Sequence, residues 1–408
     1  MATDQPPPLA PPPGALAGVR VINAGQIIAA PFCGTLLAEF GADVIKVEPP
    51  AGDGYRHVVP VAPGLGRYFV PLNRGKRSVV LDLKREEGRA RCHALVATAD
   101  VVLHNYPPAR ADAFGLGWEE LRSRRPGLVL GVVSSFGSEG TLAGRPAYDL
   151  VAQAHAGLLT AHASAGDRVP VRAGGIPIAD LAAGLLLSVG VLAALVRARE
   201  TGVGERVETS LLAAALAVQL QDVLRLPGDE TFAEPRVADP ADLERRAGEI
   251  ARDLSLDPYY RCSATADGFV AVACLNVAQR RALLAELELD DPSVVAPDSV
   301  PHDPAALAVR RALTDEVERR LSRRTTAEWV RRLERAGVPS GPVHVQASAL
   351  ADPQARANGL VTTLTQEGLG DVETLGRLVQ VGAGIAAGPA VGAPALGEHT
   401  ETVLGELG

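Results

Sequence analysis

The feature that most constrains this chain is an alternation of short apolar runs with helix-length segments. The run from Val19 to Ile22 is short and β-branched. Residues 31–40 then read as a helix, with Pro31 in its first turn, where a missing N–H costs nothing. Gly41 supplies the stop, and DVIKVE (43–48) the next strand. Strand patterns return at 79–83, 101–105, 128–134 and 205–210. Helical segments are expected at 86–99, 118–124, 149–160, 180–199 and 211–224. Such β-α-β alternation builds a mostly parallel sheet covered by helices, so an α/β fold is expected.

The pattern breaks at Leu226. Residues 226–257 are charged and proline-bearing and read as a linker with a surface helix. A smaller α+β region is expected over 258–345, with a strand at 268–275, helices near 277–287, 304–322 and 326–336, and a loop and strand at 337–345. From about Asn358 the chain is rich in Gly and Val and carries extended pieces. The first 16 residues are proline-rich and read as a flexible lead-in. A large domain over 17–225 completes the division, and 408 residues suit two domains.

Net charge is −8, which argues against a non-specific nucleic-acid binder. The four cysteines form no C-x-x-C pair, and no His cluster has zinc spacing. Reduced cysteines in a cytoplasmic protein without a metal are expected. The N-terminus lacks a basic region followed by an apolar run. LAAGLLLSVGVLAALV (181–196) is shorter than the roughly 20 residues a bilayer needs. It reads as a buried core helix, so no membrane partner is expected.

Candidate chemistry begins in the first β-α turn. It reads NAGQIIAAPFCG, without the G-x-G-x-x-G that a dinucleotide needs, and Glu48 alone is a weak ribose partner. Asp180, in GGIPIADLAAGLLLSVG, opens the most apolar stretch of the chain. One reading is an ordinary helix N-cap. The other is a capping carboxylate that stays ionised and attacks an electrophile, sharpened by its small apolar neighbours. Arg74, Lys76 and Arg77 lie in NRGKRS, either a phosphate grip or a solvated turn. His104 and His155 are candidate general bases, though lone histidines are more often structural.

Taken together, these motifs resemble the family III (CaiB/BaiF) CoA-transferases. The segment GVRVINAGQIIAAPFCGTLLAEFGADVIKVEPPAGD resembles that family's opening block. LNRGKRSVVLDLK, HNYPPARADAFGLGW, GRPAYDLVAQAHAGL and the Asp180 segment follow in the family's order. ARETGVGERVETSLLAAAL, AGVPSGPVHV and APALGEHTETVLGELG complete the match, over nearly all of 17–408.

The resemblance implies a Rossmann-like large domain, a smaller domain, and an interlocked homodimer with each chain threaded through the other. Residues 346–408 would return to the large domain. It implies transfer of CoA from an acyl-CoA donor to a carboxylic acid acceptor, with no permanently bound cofactor and the CoA thioester as substrate. Asp180 falls on the nucleophile, which passes through a mixed anhydride and an aspartyl-CoA thioester. Ile28, Ala29, Leu81, Asp82, Leu83, Lys84, Asn105, Tyr106, Pro146, Ala147, Tyr148 and Asp149 fall on CoA-contacting segments. Pro49 and Ala113 replace arginines of some members, and Arg56, Arg74, Lys76 or Arg110 are the candidate substitutes. No glycine run like the lid loop of some members is present. Arg145 and Arg172 are candidates for holding a second carboxylate.

Two alternatives remain. An α-methylacyl-CoA racemase shares the fold, but the resembling racemases carry a His where this chain has Tyr148, and a phenol with a pKa of about 10 is a poor proton shuttle. An inactive CoA-binding protein would not need Asp180.

Overall fold

The computed structural model describes residues 14–161, 175–221, 223, 257–295, 304–381 and 391–407. They fall into two compact units. The first draws on Met1–Leu158, Arg172–Leu226 and Leu350–Gly408, the second on Leu159–Val171 and Pro227–Ala349.

Among the described residues, the first unit contains eight strands before residue 211. They are β1 (Arg20–Asn23), β2 (Asp43–Glu48), β3 (Pro60–Ala62), β4 (Leu65–Gly66), β5 (Arg77–Val80), β6 (Val101–His104), β7 (Val129–Ser134) and β8 (Arg206–Ser210). Six of them form one sheet in the order β5-β2-β1-β6-β7-β8, with every pairing parallel. The remaining two, β3 and β4, pair antiparallel. The helices described up to residue 217 are α1 (Ala29–Glu39), α2 (Phe69–Asn73), α3 (Glu86–Ala97), α4 (Pro108–Ala113), α5 (Trp118–Arg124), α6 (Asp149–His155), α7 (Leu158–Ala161), α8 (Ile178–Thr201) and α9 (Leu211–Ala217), of which all but α7 lie wholly in the first unit.

Both faces of the sheet are buried, which is why its strands read as continuous apolar runs. Alternate residues serve opposite cores. Val21, Val44, Val101 and Val133 join Leu37, Leu187 and Val191 of α1 and α8. Ile22, Ile45, Val102 and Leu130 join Leu95 and Leu121 of α3 and α5. α8 lies tight on α1 at Gly184, where a Cβ would come within 2.9 Å of the Ala29 carbonyl. That approach sets the first turn of α8 beside the first turn of α1.

The tail rejoins this unit. The helix Thr400–Gly405 inserts Val403 into the α3-side core, and His399 N–H donates to the Ser78 carbonyl at 2.9 Å. A hairpin, Val361–Gln366 with Gly370–Leu375, precedes it.

The second unit is a three-stranded antiparallel sheet, Tyr260–Ala264, Phe269–Ala273 and Ser340–Pro342, with helices Val277–Leu287, Pro304–Leu321 and Thr326–Arg335. Its core holds Val270, Val272, Leu283, Leu321, Trp329 and Leu333.

Some expectations need correction. The helix expected over 149–160 breaks at Gly157, whose φ of 78° no helix continues through, and yields α6 and α7. The helix expected over 211–224 ends at Ala217. The strand expected over 79–83 is β5, shifted two residues earlier. Residues 226–256, read as most of the linker, lie outside the described residues.

Candidate active site

Strand order reverses between β1 and β6. In an open α/β sheet, the crevice beyond the strand ends at such a point is where ligands bind. The turn after β1 is sharply bent there. Ile27 has a φ of 70°, a left-handed conformation that costs a β-branched residue about 1–3 kcal/mol. Its neighbours hold it in place. Ile27 N–H donates to the Asp53 carboxylate at 3.2 and 3.3 Å. The Asn105 side chain clamps Gln26, accepting from its N–H at 2.9 Å and donating to its carbonyl at 2.8 Å. Gln26, Ile27 and Ala29 thereby border a cleft of about 550 Å³.

Asp180 borders the same cleft, half-buried in the first turn of α8. The expectation that it caps the helix is corrected. The cap position is Pro177, and the side-chain acceptor comes from α6. Asp149 Oδ1 takes the N–H of Ala179 at 2.9 Å and that of Asp180 at 3.2 Å. Asp180 therefore does not have the low pKa of a capping carboxylate. Burial, and then the nearby charge of Asp149, push it up to about 7.

A second cleft of about 650 Å³ shares Gln26, Tyr106 and Arg110 with the first. It runs on past Leu81, Asp82, Leu83 and Lys84, and Pro49 and Ala113 also border it. The two clefts thus adjoin at Gln26, Tyr106 and Arg110, with Asp180 bordering the first and Lys84 the second. Arg110 and Lys84 are exposed along them.

The other candidate cations are committed elsewhere. Arg56 makes two 2.7 Å bonds to Glu48, and its guanidinium lies 3.8 Å from the Phe69 ring centre. Arg74 is paired with Glu39. Lys76 donates to the carbonyls of Pro31 and Leu72 at 2.7 Å and to Asn73 at 2.9 Å. Burial holds the Lys76 pKa well below the ordinary lysine value. As candidate phosphate ligands these three are corrected: all are buried within the protein.

Of the residues singled out from sequence, Ala29, Asn105, Tyr106, Pro146, Ala147 and Tyr148 meet Asp180 at the first cleft, and Leu81 to Lys84 line the second. Ile28 is buried and Asp149 sits behind the wall; neither borders a cleft. His104 is buried, with its pKa lowered by burial to about 4, and its Nδ1 accepts the Tyr106 N–H at 3.3 Å. His155 packs against Phe136 and borders neither cleft. Arg145 is exposed, and Arg172 lies outside the described residues.

Sequence reasoning missed Ile27, Ser134 and Ser135, which also border the first cleft. The serines follow from their place at the carboxyl end of β7. Nothing in the sequence marks Ile27, since a left-handed isoleucine exists only when tertiary bonds impose it.

The comparisons agree with this architecture. The family model described as CoA-transferase family III matches residues 16–400. A succinyl-CoA:mesaconate CoA-transferase of Haloarcula marismortui is 31% identical over 97% of each chain. An acetyl-CoA:oxalate CoA-transferase of Acetobacter aceti is 33% identical over 86% of each. The crystal structure of a CaiB/BaiF family protein from Brucella suis matches with a TM-score of 0.77 at 28% identity, covering 97% of this chain and 100% of that one. This chain belongs to the family III CoA-transferases and is an enzyme that transfers coenzyme A.

Proposed function

We propose that Asp180 is the nucleophile of a CoA transfer that passes through covalent aspartyl intermediates. An Asp180 carboxylate oxygen attacks the carbonyl of the donor thioester. The C–S bond breaks, CoA leaves as thiolate, and a mixed anhydride remains. The thiolate then attacks the Asp180 carbonyl and displaces the donor acid as its carboxylate, leaving an aspartyl-CoA thioester. The acceptor carboxylate attacks that thioester, forms a second mixed anhydride and frees CoA thiolate. Attack of the thiolate on the acceptor carbonyl gives the new acyl-CoA and restores Asp180. Each hard exchange is thus divided into easier covalent steps.

The observation that carries this reading is the placement of Asp180 on a cleft that adjoins, at Gln26, Tyr106 and Arg110, a second cleft bordered by Lys84. A thioester at Asp180 would let pantetheine run past Gln26 and Tyr106, with phosphates near the two exposed cations. The first turn of α1, at Ala29, opens on the same cleft and presents the positive end of its dipole to developing negative charge. A pKa of about 7 leaves a working fraction of carboxylate at neutral pH and makes that carboxylate more basic than usual.

Asp180→Ala is expected to lower transfer by about 10³-fold or more. Acyl-CoA with hydroxylamine should convert Asp180 to a hydroxamate visible by mass spectrometry. An active enzyme with no mass change at Asp180 would refute the covalent route. The named relatives act on succinyl-CoA with mesaconate and on acetyl-CoA with oxalate, so dicarboxylic acids head the acceptor screen. The racemase alternative predicts exchange of the α-proton in D₂O. Against it, Tyr148 borders the same cleft as Asp180, and a phenol is a poor second proton shuttle.

The reading includes an interlocked homodimer. In support, α8 and the segment from α9 onward expose Leu185, Leu186, Val189, Val196, Leu216 and Leu220. Exposed apolar side chains on one helix and its neighbour support a face covered by a partner. Native mass spectrometry giving a monomer at micromolar concentration would remove this part.

A further inference from the structure

We propose that Asp149 is a positioning residue for the transfer reaction, pinning the first turn of α8 and setting the pH at which Asp180 becomes an active nucleophile. The inference rests on the reading of Asp180 given above.

Asp149 is 6% exposed and borders neither cleft, so it does not touch a bound thioester. Among the described residues, every hydrogen bond of its side chain is an accepted one. Oδ1 takes the N–H groups of Ala179 and Asp180, and Oδ2 takes the Gln153 amide at 2.6 Å. Gln153 is fully buried, and its own carbonyl oxygen has no partner among the described residues. Charge-assisted donation to a carboxylate is the interaction strong enough to fix the amide that way round. The carboxylate oxygens thus receive three donors at the positive end of the α8 dipole.

The same contact does two things. It ties α8 to α6, whose N-terminal neighbour Tyr148 lines the cleft, so Asp180 and the cleft wall are fixed together. It also places one negative charge beside another, which opposes ionisation of Asp180.

No other described group packed on α8 does this. From α1 come Cys33, a thiol that burial pushes up to about 12, and Glu39, bonded to Arg74. Neither α9 nor β7 carries a titratable side chain. From β8 come Arg206 and Glu208, paired at 2.8 Å. The rest of α6 offers only the exposed His155. Beside α8, Tyr55 has its hydroxyl pushed up to about 12 by burial and by the Asp180 charge, so it stays neutral.

The test is the pH profile of kcat/KM for the full-length enzyme with an acyl-CoA donor. Asp149→Asn keeps an acceptor oxygen for α8 but removes the charge. Its acid limb, with a midpoint near the Asp180 pKa of about 7 in the wild type, is expected to move down by about one pH unit or more. KM for acyl-CoA should change less than kcat, because Asp149 lies off the cleft. Asp149→Glu keeps the charge but misplaces it, so kcat should fall with the midpoint unmoved. If Asp149→Asn does not fold, Asp149→Ser provides a neutral helix cap for the same measurement. A folded neutral variant whose midpoint stays in place, or rises, overturns the proposal. Asp180→Asn separates the two readings. If it still transfers CoA, the nucleophile assignment fails. If it is dead while the neutral Asp149 variant keeps the wild-type midpoint, only the present inference fails.

Discussion

Two walls of one crevice bury their carboxylates in opposite ways. Along the β2 side, Lys46 meets Asp53 at 2.8 Å and Arg56 meets Glu48 at 2.7 Å, all four side chains being essentially inaccessible. Burial alone would raise both acids. For Glu48, bonds from Arg56 and the charges of Lys46 and Arg56 outweigh it and hold the pKa below the ordinary value. For Asp53, the Lys46 charge and the N–H groups of Tyr55 and Ile27 do the same. At the mouth of α8, Asp180 faces burial plus a second carboxylate and goes the other way. Matched charges make a wall that holds its shape. An unmatched carboxylate is costly to keep and useful for attack.

The paired wall is the place to look for the largest change in stability. Asp53→Asn leaves Lys46 buried against a neutral partner and loosens the N–H of the strained Ile27. Removing one member of a buried pair costs about 3–5 kcal/mol. Urea denaturation should show that loss, and activity should fall with it because the turn beside the cleft relaxes. A loss under about 1 kcal/mol would mean that the pairs do not hold this wall.

The unpaired wall should respond with the opposite sign. Asp180→Asn is expected to be inactive and more stable. The folded pKa of about 7 lies above the ordinary 3.8, so between these values the folded state binds more protons than the unfolded. The Asp180 contribution to wild-type stability should therefore be complete below about pH 4 and be lost as pH rises toward 7. The asparagine variant lacks that decline. Because Asp180 is half-buried on an open cleft, the gain at pH 8 is set at about 2 kcal/mol, well below what the full shift implies. The difference should vanish near pH 4. Equal stability of the two proteins at pH 8 would show that solvent already relieves the Asp180 charge.

The contrast between the walls also explains what the sequence revealed. The sheet was legible because strands buried on both faces are written as apolar runs such as VVLH, and α8 because its apolar stretch is long. Asp180 stood out because a charge opens that stretch. Its raised pKa did not, because it depends on burial in the folded cleft wall and then on Asp149, 31 positions away and joined to α8 only in the folded chain. The cations were misread for the same reason. Arg56, Arg74 and Lys76 sit in polar sequence, and only the fold shows them turned inward. Strand Tyr260–Ala264, the antiparallel partner of Phe269–Ala273, was missed because its pattern is inverted: Tyr260 and Cys262 are exposed, and Arg261 and Ser263 take the inward positions.

The smallest expected effects belong to the cations left outside, and they complete the comparison. Lys46 and Arg56 hold their charges for carboxylates of the wall, whereas Arg110 and Lys84 stand exposed along the cleft. If they serve phosphates, each alanine substitution should weaken CoA binding by about tenfold, or about 1.4 kcal/mol. Arg110→Ala should weaken it more than Lys84→Ala, because Arg110 lies where the two clefts meet and a guanidinium can grip two phosphate oxygens at once. Exposed cations contribute little to folding, so the melting temperature should hold within a degree or two, about 0.5 kcal/mol. The decisive control is an acyl-pantetheine thioester, which lacks the nucleotide phosphates. Its KM should not respond to either substitution. Equal weakening for the acyl-CoA and the acyl-pantetheine would mean that Arg110 and Lys84 shape the cleft and do not hold phosphate, which would leave the inner and outer cations with the same structural task.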